Sequence, residues 1–573
     1  MSVLHHLKTI SSGDDLIRLI APDIVRNLGC SCDIIREIHE RSSYITFGIP
    51  KKNGTDVRFI NAPSGVLKEI QKRLSIYLNA CIDEIEEENR YTPVSFAFRK
   101  RKSIYDNAEL HIDSHWIINI DLKDFFTSIN FGRIQGFFTK DRNFKLYYGV
   151  ATALAEIACH NNQLPQGSPC SPIISELITH ILDARLFKFA KENDLIYSRY
   201  ADDITFSRKR GTLPNSAAYL IASPSYQWQI SEKLKNIIER TGFEINESKF
   251  RVQSNKTRQI VTGLVVNKKV NVTNNYYRIA RAACDSIFKN GTYFIKGTTS
   301  ETSKMKYILG IMNYIYDIKH HDIDNKTGFI KLFRKLLFYK YFLRNNKVLV
   351  ITEGDSDIVH LNYAIQNLGK TESILKKSDV SVLKNNMFNF FSHKKRHSEI
   401  LGITGGSDKL KNIVLDYKNY LYGKSGIIVK KYIRFPVIIL LDNDDGLKPV
   451  ASTTKSAFGV EFNKHSTDKF YHITDNLYVV KIPFISGKTT VDTCIEDLYP
   501  DSIKKIKLKG KTFKQDNNFD EKIYFGKMDF ANKIVTPNQS KIDYSGFEPL
   551  LECIRSVIDH YKPPFILSRS MFY

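Results

Sequence analysis

The sequence predicts two successive architectures: an α+β region up to about residue 345, then an α/β region built on a parallel sheet. Three observations carry this. A hairpin centred on Ala201-Asp202, buried-strand candidates and long helices mix before Asn345. Beyond it, buried apolar strands alternate with helices, which implies βαβ units. At roughly 100–200 residues per domain, 573 residues also require several folding units.

Residues 1–40 read as short amphipathic helices, with Leu16, Leu19, Ile20, Ile24 and Leu28 at helical spacing. From Tyr44 the pattern turns extended, Ile45, Phe47 and Ile49 alternating up to the turn signal Pro50-Lys-Lys-Asn-Gly54. Gly65 to Glu88 is helical, Trp116-Ile-Ile-Asn-Ile-Asp121 is a buried strand, and a helix of about two dozen residues follows Pro172. Tyr276–Asn290, Lys304–Tyr316 and Phe329–Arg344 form consecutive helices. Lys347-Val-Leu-Val-Ile-Thr352 is a strand followed at once by a helix, Ile358–Leu368. Asn385 to His397 is a basic, polar interruption. Leu401-Gly-Ile-Thr-Gly-Gly406 leads into a helix from Ser407, which Ser407 is placed to cap. Phe435–Leu441 and Leu477–Ile482 are further buried strands.

Lys and Arg number 84 against 61 Asp and Glu, a net charge of +23, the footprint of a polyanion binder, nucleic acid above all. Hydrophobic content of 42% and charged content of 25% exclude wholesale disorder. No apolar run approaches the ~18–20 residues of a membrane span. Met1 to Ile20, interrupted by Asp14 and Asp15, does not read as a signal peptide. The eight cysteines form no CxxC pair, so reduced thiols in a cytoplasmic protein without membrane attachment are expected.

Asp121 ends a buried strand, and Asp202-Asp203 occupy a hairpin tip in Arg199-Tyr-Ala-Asp-Asp-Ile-Thr-Phe206. Two carboxylates about 4 Å apart repel by roughly 4 kcal/mol at an effective dielectric of 20. Three converging ones call for divalent cations, and hard oxygen ligands favour a pair of Mg²⁺ ions. Tyr200-Ala-Asp-Asp203 resembles the YxDD motif of reverse transcriptases. Ile120-Asp121-Leu-Lys-Asp-Phe-Phe126 is similar to their first catalytic motif, and Leu164-Pro-Gln-Gly-Ser-Pro-Cys-Ser-Pro172 to their template- and nucleotide-positioning motif.

The resemblance implies a right-hand polymerase with fingers, palm and thumb. Asp121, Asp202 and Asp203 would be its catalytic metal ligands, and Phe126 a steric gate against a ribose 2′-hydroxyl. Gln166 and Gly167 would approach the incoming dNTP, and Lys51 and Arg58 would clamp its triphosphate. Lys249 would lie near the leaving phosphate, with Lys256 and Arg258 as competitors. Asn107-Ala-Glu-Leu-His111 and Gln259-Ile-Val-Thr-Gly-Leu-Val-Val-Asn267 resemble the bacterial retron branch, in which Val261, Thr262 and Gly263 would recognise a cognate structured non-coding RNA. That RNA would be template and primer, yielding a branched RNA–DNA product.

Glu353-Gly-Asp-Ser-Asp357 and Asp442-Asn-Asp-Asp-Gly446 each follow a buried strand directly, where α/β folds place ligands. The arrangement resembles the TOPRIM domain, most of all its overcome-lysogenization-defect nuclease branch. Glu353 would be the general acid/base and Asp357, Asp442 and Asp444 would bind Mg²⁺ or Mn²⁺. Asp445 is an undecided neighbour, and Glu496-Asp497 is read as a helix start, with a distal acidic element of the site as the alternative. The implied enzyme joins a retron reverse transcriptase to a nuclease-like toxic effector in anti-phage defence, with tRNA, other RNA or DNA as nuclease substrate. The alternative is a non-catalytic assembly or nucleic-acid-binding module.

The expected divisions are an N-terminal helical extension (1–40), fingers and palm (41–270), an RNA-binding helical thumb (271–345), the TOPRIM domain (346–500) and a basic C-terminal extension without an assignable motif (501–573). A homo-oligomer remains open.

Overall fold

The computed structural model describes residues 2–28, 34–50, 57–89, 94–221, 227–295, 301–321, 327–368, 388–393, 396–404, 406–423, 428–485, 490–515 and 519–563. The chain forms two units, Met1–Asn274 and Asn275–Tyr573. The expected division near 345 falls inside the second unit, where the helices after 274 are joined to the α/β layers. Among the described residues no helix is long and apolar enough to cross a membrane.

The first unit opens with four short helices, the second entered through a capping box between Ser12 and Asp15. Strands β1 (Tyr44–Pro50) and β2 (Val57–Pro63) form an antiparallel ribbon, and the 25-residue helix Gly65–Asn89 follows. The alternating apolar residues of β1 do not enter the core: Ile45, Phe47 and Ile49 are exposed, because among the described strands the ribbon pairs only with itself. The central sheet is built on β3 (Trp116–Lys123), β4 (Ile196–Tyr200) and β5 (Asp203–Arg208), ordered β4-β5-β3. A small hairpin, β6 (Ala218–Ile221) with β7 (Gln227–Ile230), stands apart. β8 (Glu244–Ile245) and β9 (Arg251–Ser254) pair with opposite halves of the free edge of β3. β10 (Ile260–Val261) and β11 (Leu264–Val265) close a two-residue turn. Helices Phe131–Lys140, Tyr148–Ala158 and Ser171–Glu192 bury their apolar faces in the same core as this sheet.

The second unit begins with helices Asn274–Asn290, Met305–Lys319 and Thr327–Phe338, the last running on as a π-helical turn, Tyr339–Leu343. A small ladder, β12 (Tyr293–Phe294) with β13 (Glu301–Thr302), lies between the first two. Phe333, Leu336, Leu337, Phe338, Tyr339 and Phe342 are all buried, so the apolar run there is core rather than a surface amphiphile.

The sheet beyond comprises β14 (Val348–Ile351), β15 (Phe388–Phe390), β16 (Val437–Leu441), β17 (Tyr471–Thr474) and β18 (Leu477–Lys481), ordered β15-β14-β16-β18-β17. β15, β14, β16 and β18 are mutually parallel, whereas β17 joins β18 antiparallel. Two edge strands therefore differ from the sequence expectation. The three-residue β15 lies within the polar stretch 385–397, and β17 hairpins back into β18 through Asp475, which adopts φ 43°. Every residue of β14, β16 and β18 is buried, as strands covered on both faces must be. A short parallel pair, β19 (Thr512–Phe513) with β20 (Tyr524–Phe525), precedes the final helix Glu548–His560.

Candidate functional site

In the first unit, antiparallel register sets Asp121 on β3 directly opposite Asp203 on β5. Asp202 lies in the connecting turn, its carbonyl accepting a hydrogen bond from Leu122 N (3.0 Å). The turn begins at Ala201, which holds a left-handed φ of 54°. Lost hydration raises the pKa of Asp202, with the Asp121 charge adding to it and those of Lys249 and Arg58 opposing. Solvent reaches the rim of Asp203, yet enough protein surrounds its carboxyl that poor hydration, then the charges of Asp202 and Asp121, push it up to about 6. Lys249 Nζ donates to Asp121 Oδ1 and Oδ2 at 2.8 and 2.9 Å. Among the described residues no three His, Cys, Asp or Glu side chains form a ready-made cage for one ion. Facing carboxylates with unbalanced charge nevertheless fit Mg²⁺, which takes one or two carboxylates and completes its shell with water and phosphate oxygens.

Arg58, exposed on β2, is near enough for its charge to act on Asp202, and half-buried Phe126 packs edge-on against Phe125 at 5.2 Å. Gln166 O accepts from Asn61 N at 2.7 Å, tying this segment to β2. Gly167 has φ +118°, and a Cβ there would lie 2.8 Å from Asn61 O, so this glycine is required by the strand beside it. Lys51 lies outside the described residues.

Val261 is buried, and Thr262 (φ 46°) with Gly263 (φ 86°) forms the tight turn between β10 and β11. The loop just after the Asn107–His111 segment is tied to the strands flanking this turn, Asp113 N donating to Val266 O (3.1 Å) and Gln259 Nε2 to Ser114 O (2.8 Å). His111 is fully buried, with Nδ1 and Nε2 each 2.7 Å from a hydroxyl, Ser207 on β5 and Ser198 on β4.

In the second unit, Glu353 follows β14, Asp357 sits in the first turn of helix Asp355–Leu368, and Asp442 and Asp444 follow β16. Asp442 N donates to Glu353 Oε1 at 2.9 Å, and Gly354 N to Asp357 Oδ2 at 3.0 Å. Burial raises the carboxyls of Glu353 and Asp442 and, with the Glu496 charge, pushes Asp357 up to about 6. Asp444 Oδ1 accepts from Gly446 N at 2.7 Å. Asp445 is exposed and turned to Lys448 (3.1 Å) and Lys464 (3.4 Å), apart from the other acids.

Two further residues join these acids: Glu496, which the sequence favours as part of a helix start, and Lys527, which it does not single out. Glu496 is completely buried. Lys527 places its Nζ 3.2 Å from Asp442 Oδ2 and 3.3 Å from Glu496 Oε2. The reading of Glu496-Asp497 as a helix start holds for Asp497, which accepts from Cys494 N at 3.0 Å. Ser407 does not cap its helix, because the N-cap is Gly406, with φ 101° and no side-chain bond. Gly405 is outside the described residues. Four carboxyls raised by burial, with the one ammonium of Lys527 between Asp442 and Glu496, fit a divalent cation by donor chemistry.

Reverse transcriptase (RNA-dependent DNA polymerase) is the family whose profile matches, over residues 49–308. Retron Ec86 reverse transcriptase of Escherichia coli is 31% identical over 263 residues, spanning 46% of this chain and 72% of that protein. Retron Ec73 reverse transcriptase of Escherichia coli is 31% identical over 287 residues, spanning 48% and 82%. Retron Mx65 reverse transcriptase of Myxococcus xanthus is 30% identical over 271 residues, spanning 43% and 57%. Among solved structures, apo telomerase from Candida Tropicalis gives a TM-score of 0.29 at 12% identity, covering 66% of this chain and 65% of the other. With the aspartates on facing strands and these relatives matched across most of the Escherichia coli proteins' length, the chain belongs to the retron reverse transcriptase family.

Proposed function

We propose that the first unit extends DNA on an RNA template at Asp121, Asp202 and Asp203. The observation that carries this is the register of Asp121 against Asp203, with Asp202 in the turn and the raised carboxyls of the latter two. Divalent cations bound there would supply a more acidic 3′-hydroxyl and neutralise the leaving pyrophosphate. Lys249 orients Asp121, Arg58 contributes positive charge toward the triphosphate, and Phe126 walls the sugar. Asp202→Asn combined with Asp203→Asn should lower template-directed DNA synthesis on the order of a thousandfold while the protein stays folded. Undiminished synthesis would overturn the assignment.

The retron reading extends to a cognate structured RNA used as template and primer, and to a branched RNA–DNA product. The bonds from residues 113–114 to the strands flanking the Val261–Gly263 turn support that turn as the RNA-facing part, with the segment that carries buried Asn107, Ala108 and His111 holding it from behind. Sequencing nucleic acid co-purified with the protein tests this, since a branched molecule is diagnostic and its absence counts against it.

For the second unit we infer a TOPRIM-like, metal-dependent phosphodiesterase that serves as the toxic arm of an anti-phage system. Parallel strands carrying Glu353, Asp357, Asp442 and Asp444 at their carboxyl ends support it. The Lys527 ammonium beside Asp442 and Glu496 favours the other reading, a binding module whose acids are balanced by the chain's own cation. Cleavage of tRNA, other RNA or DNA in Mn²⁺, abolished by Glu353→Ala with DNA synthesis retained, selects the first. A complete lack of cleavage selects the second.

A further inference from the structure

Residues 94–102 lie against the strand that leads into the aspartate turn of the first unit. Arg199 N, on β4, donates to Val94 O at 2.9 Å, and Phe96 N donates to Arg199 O at 2.9 Å. Val94, Ser95, Phe96 and Ala97 are buried. Farther along, Arg99 is ion-paired with Glu86, Lys100 Nζ lies 3.1 Å from Asp83, and Lys102 Nζ sits 5.1 Å from the centre of the Phe96 ring. The segment is therefore anchored on both sides of Phe98.

Phe98 departs from its neighbours in two ways. It holds a left-handed φ of 58°, a conformation costly for a bulky side chain. Its ring is also 43% exposed, directly after the buried residues 94–97. A lone exposed ring is ordinary. A ring turned outward by a strained backbone that its flanks hold in place is not, and such strain gathers where a side chain has to be aimed.

The ring it meets is that of Phe126. The two centroids are 6.2 Å apart with the planes inclined at 51°, within the range of favourable aromatic pairs. Phe126 also meets Phe125 at 5.2 Å, and Phe125 stacks on Phe243 at 5.7 Å. These contacts make a row running from core to surface: Phe243 and Phe125 are buried, Phe126 is half-buried and Phe98 is exposed. A ring excludes a 2′-hydroxyl only as far as it cannot move aside. Buried Phe125 cannot yield without opening a cavity in the core, whereas Phe98 is kept in place by its own anchored backbone.

We propose that Phe98 is a positioning residue for sugar discrimination: its ring braces Phe126, so that the wall against a ribose 2′-hydroxyl cannot withdraw. That role rests on the polymerase reading of the first unit, with Phe126 beside the sugar of the incoming nucleotide. It makes the wall a pair of rings, one supplied by the segment after β3 and the other by the strained segment beside β4.

The test uses the full chain in Mg²⁺ with a poly(rA) template annealed to oligo(dT), and either dTTP or UTP. The quantity read is kcat/KM for dTTP divided by kcat/KM for UTP. Phe98→Ala should lower this ratio roughly three- to tenfold, because kcat/KM for UTP rises. A rise for UTP is a gain that a misfolded or merely loosened variant does not give. Phe98→Tyr, which keeps the ring, should return the ratio of the parent. Phe126→Val should lower the ratio further, and Phe98→Ala added to it should change nothing more, since the braced ring is already gone. A parental ratio in Phe98→Ala, or an equal loss for both nucleotides, would overturn the bracing role while leaving Phe126 as the wall. A ratio unmoved by Phe126→Val, or a parent chain that does not extend the primer, would instead overturn the reading of the site itself, and the bracing role with it.

Discussion

Arg199 and Asp183 meet in the interior of the first unit through two parallel contacts of 2.8 Å, Nε to Oδ1 and Nη2 to Oδ2. The same guanidinium reaches Glu176 at 2.9 Å and the carbonyl of Ala201 at 3.0 Å. Arg199 is completely buried. Burial works against its charge, and the charges of Asp183 and Glu176 outweigh that, raising its pKa. The contact to Ala201 links the buried acids to the strained turn that presents Asp202.

Arg199→Met should therefore destabilise the first unit by about 3–5 kcal/mol, since it strands two buried carboxylates. Arg199→Lys should fall between, because one ammonium cannot reproduce the planar fork. Denaturant midpoints measure both, and equal stability of the Met variant and the parent would refute the role.

His111 makes stability pH-dependent. Burial, reinforced by the charge of Lys209, lowers its pKa to about 3, against roughly 6.5 for an unfolded histidine. The unfolded chain takes up the proton first, so this contribution is complete above pH 6.5 and is lost as pH falls toward 3. The limiting slope is about 1.4 kcal/mol per pH unit. Raised carboxyls such as Asp203 act in the opposite sense, so the informative quantity is the difference between parent and His111→Gln. That difference should shrink steadily from pH 7 to pH 5 in urea titrations; a constant difference would contradict the buried neutral ring.

Lys527 competes for the place a metal ion would take. In Lys527→Met the metal-free protein should lose stability by a few kcal/mol, on the order of 3. Added Mn²⁺ should then raise its melting temperature more than that of the parent, because binding only to the folded state stabilises by mass action. Glu496→Gln should weaken Mn²⁺ binding by roughly 10–100-fold. Identical melting curves with and without Mn²⁺ in all three proteins would count against a cation site.

Gly167→Ala puts a methyl group against β2 at a φ that side chains rarely adopt. A loss of about 1–3 kcal/mol is expected in denaturant titrations, and a neutral substitution would show that β2 can withdraw.

The elements most legible in the sequence were those with one dominant local cause. The all-apolar strand Val437–Leu441, the turn at Ala201-Asp202 and the order of acids along the chain needed no tertiary knowledge. What was hidden depended on partners far away in sequence. Lys527 lies 85 residues beyond the aspartate it meets, within a stretch where lysines are common, and no spacing rule separates it from its neighbours. Glu496 and Asp497 look interchangeable in sequence, yet one caps a turn and the other enters the acid cluster. Ile45, Phe47 and Ile49 carry the pattern of a half-buried strand, and periodicity alone does not reveal that among the described residues no layer covers them. β15 escaped notice because three residues are too few to establish a period.

The two borders of the mixed sheet limit how copies of this chain can associate. One border is β15, three residues long among the described residues; the other, β17, is interrupted by a register shift between His472 and Thr474. Neither offers the long, regular row of backbone donors and acceptors on which another chain could lay a strand. Among the described residues, copies of this chain therefore have no long border of this sheet to join, and the sheet itself is a closed unit.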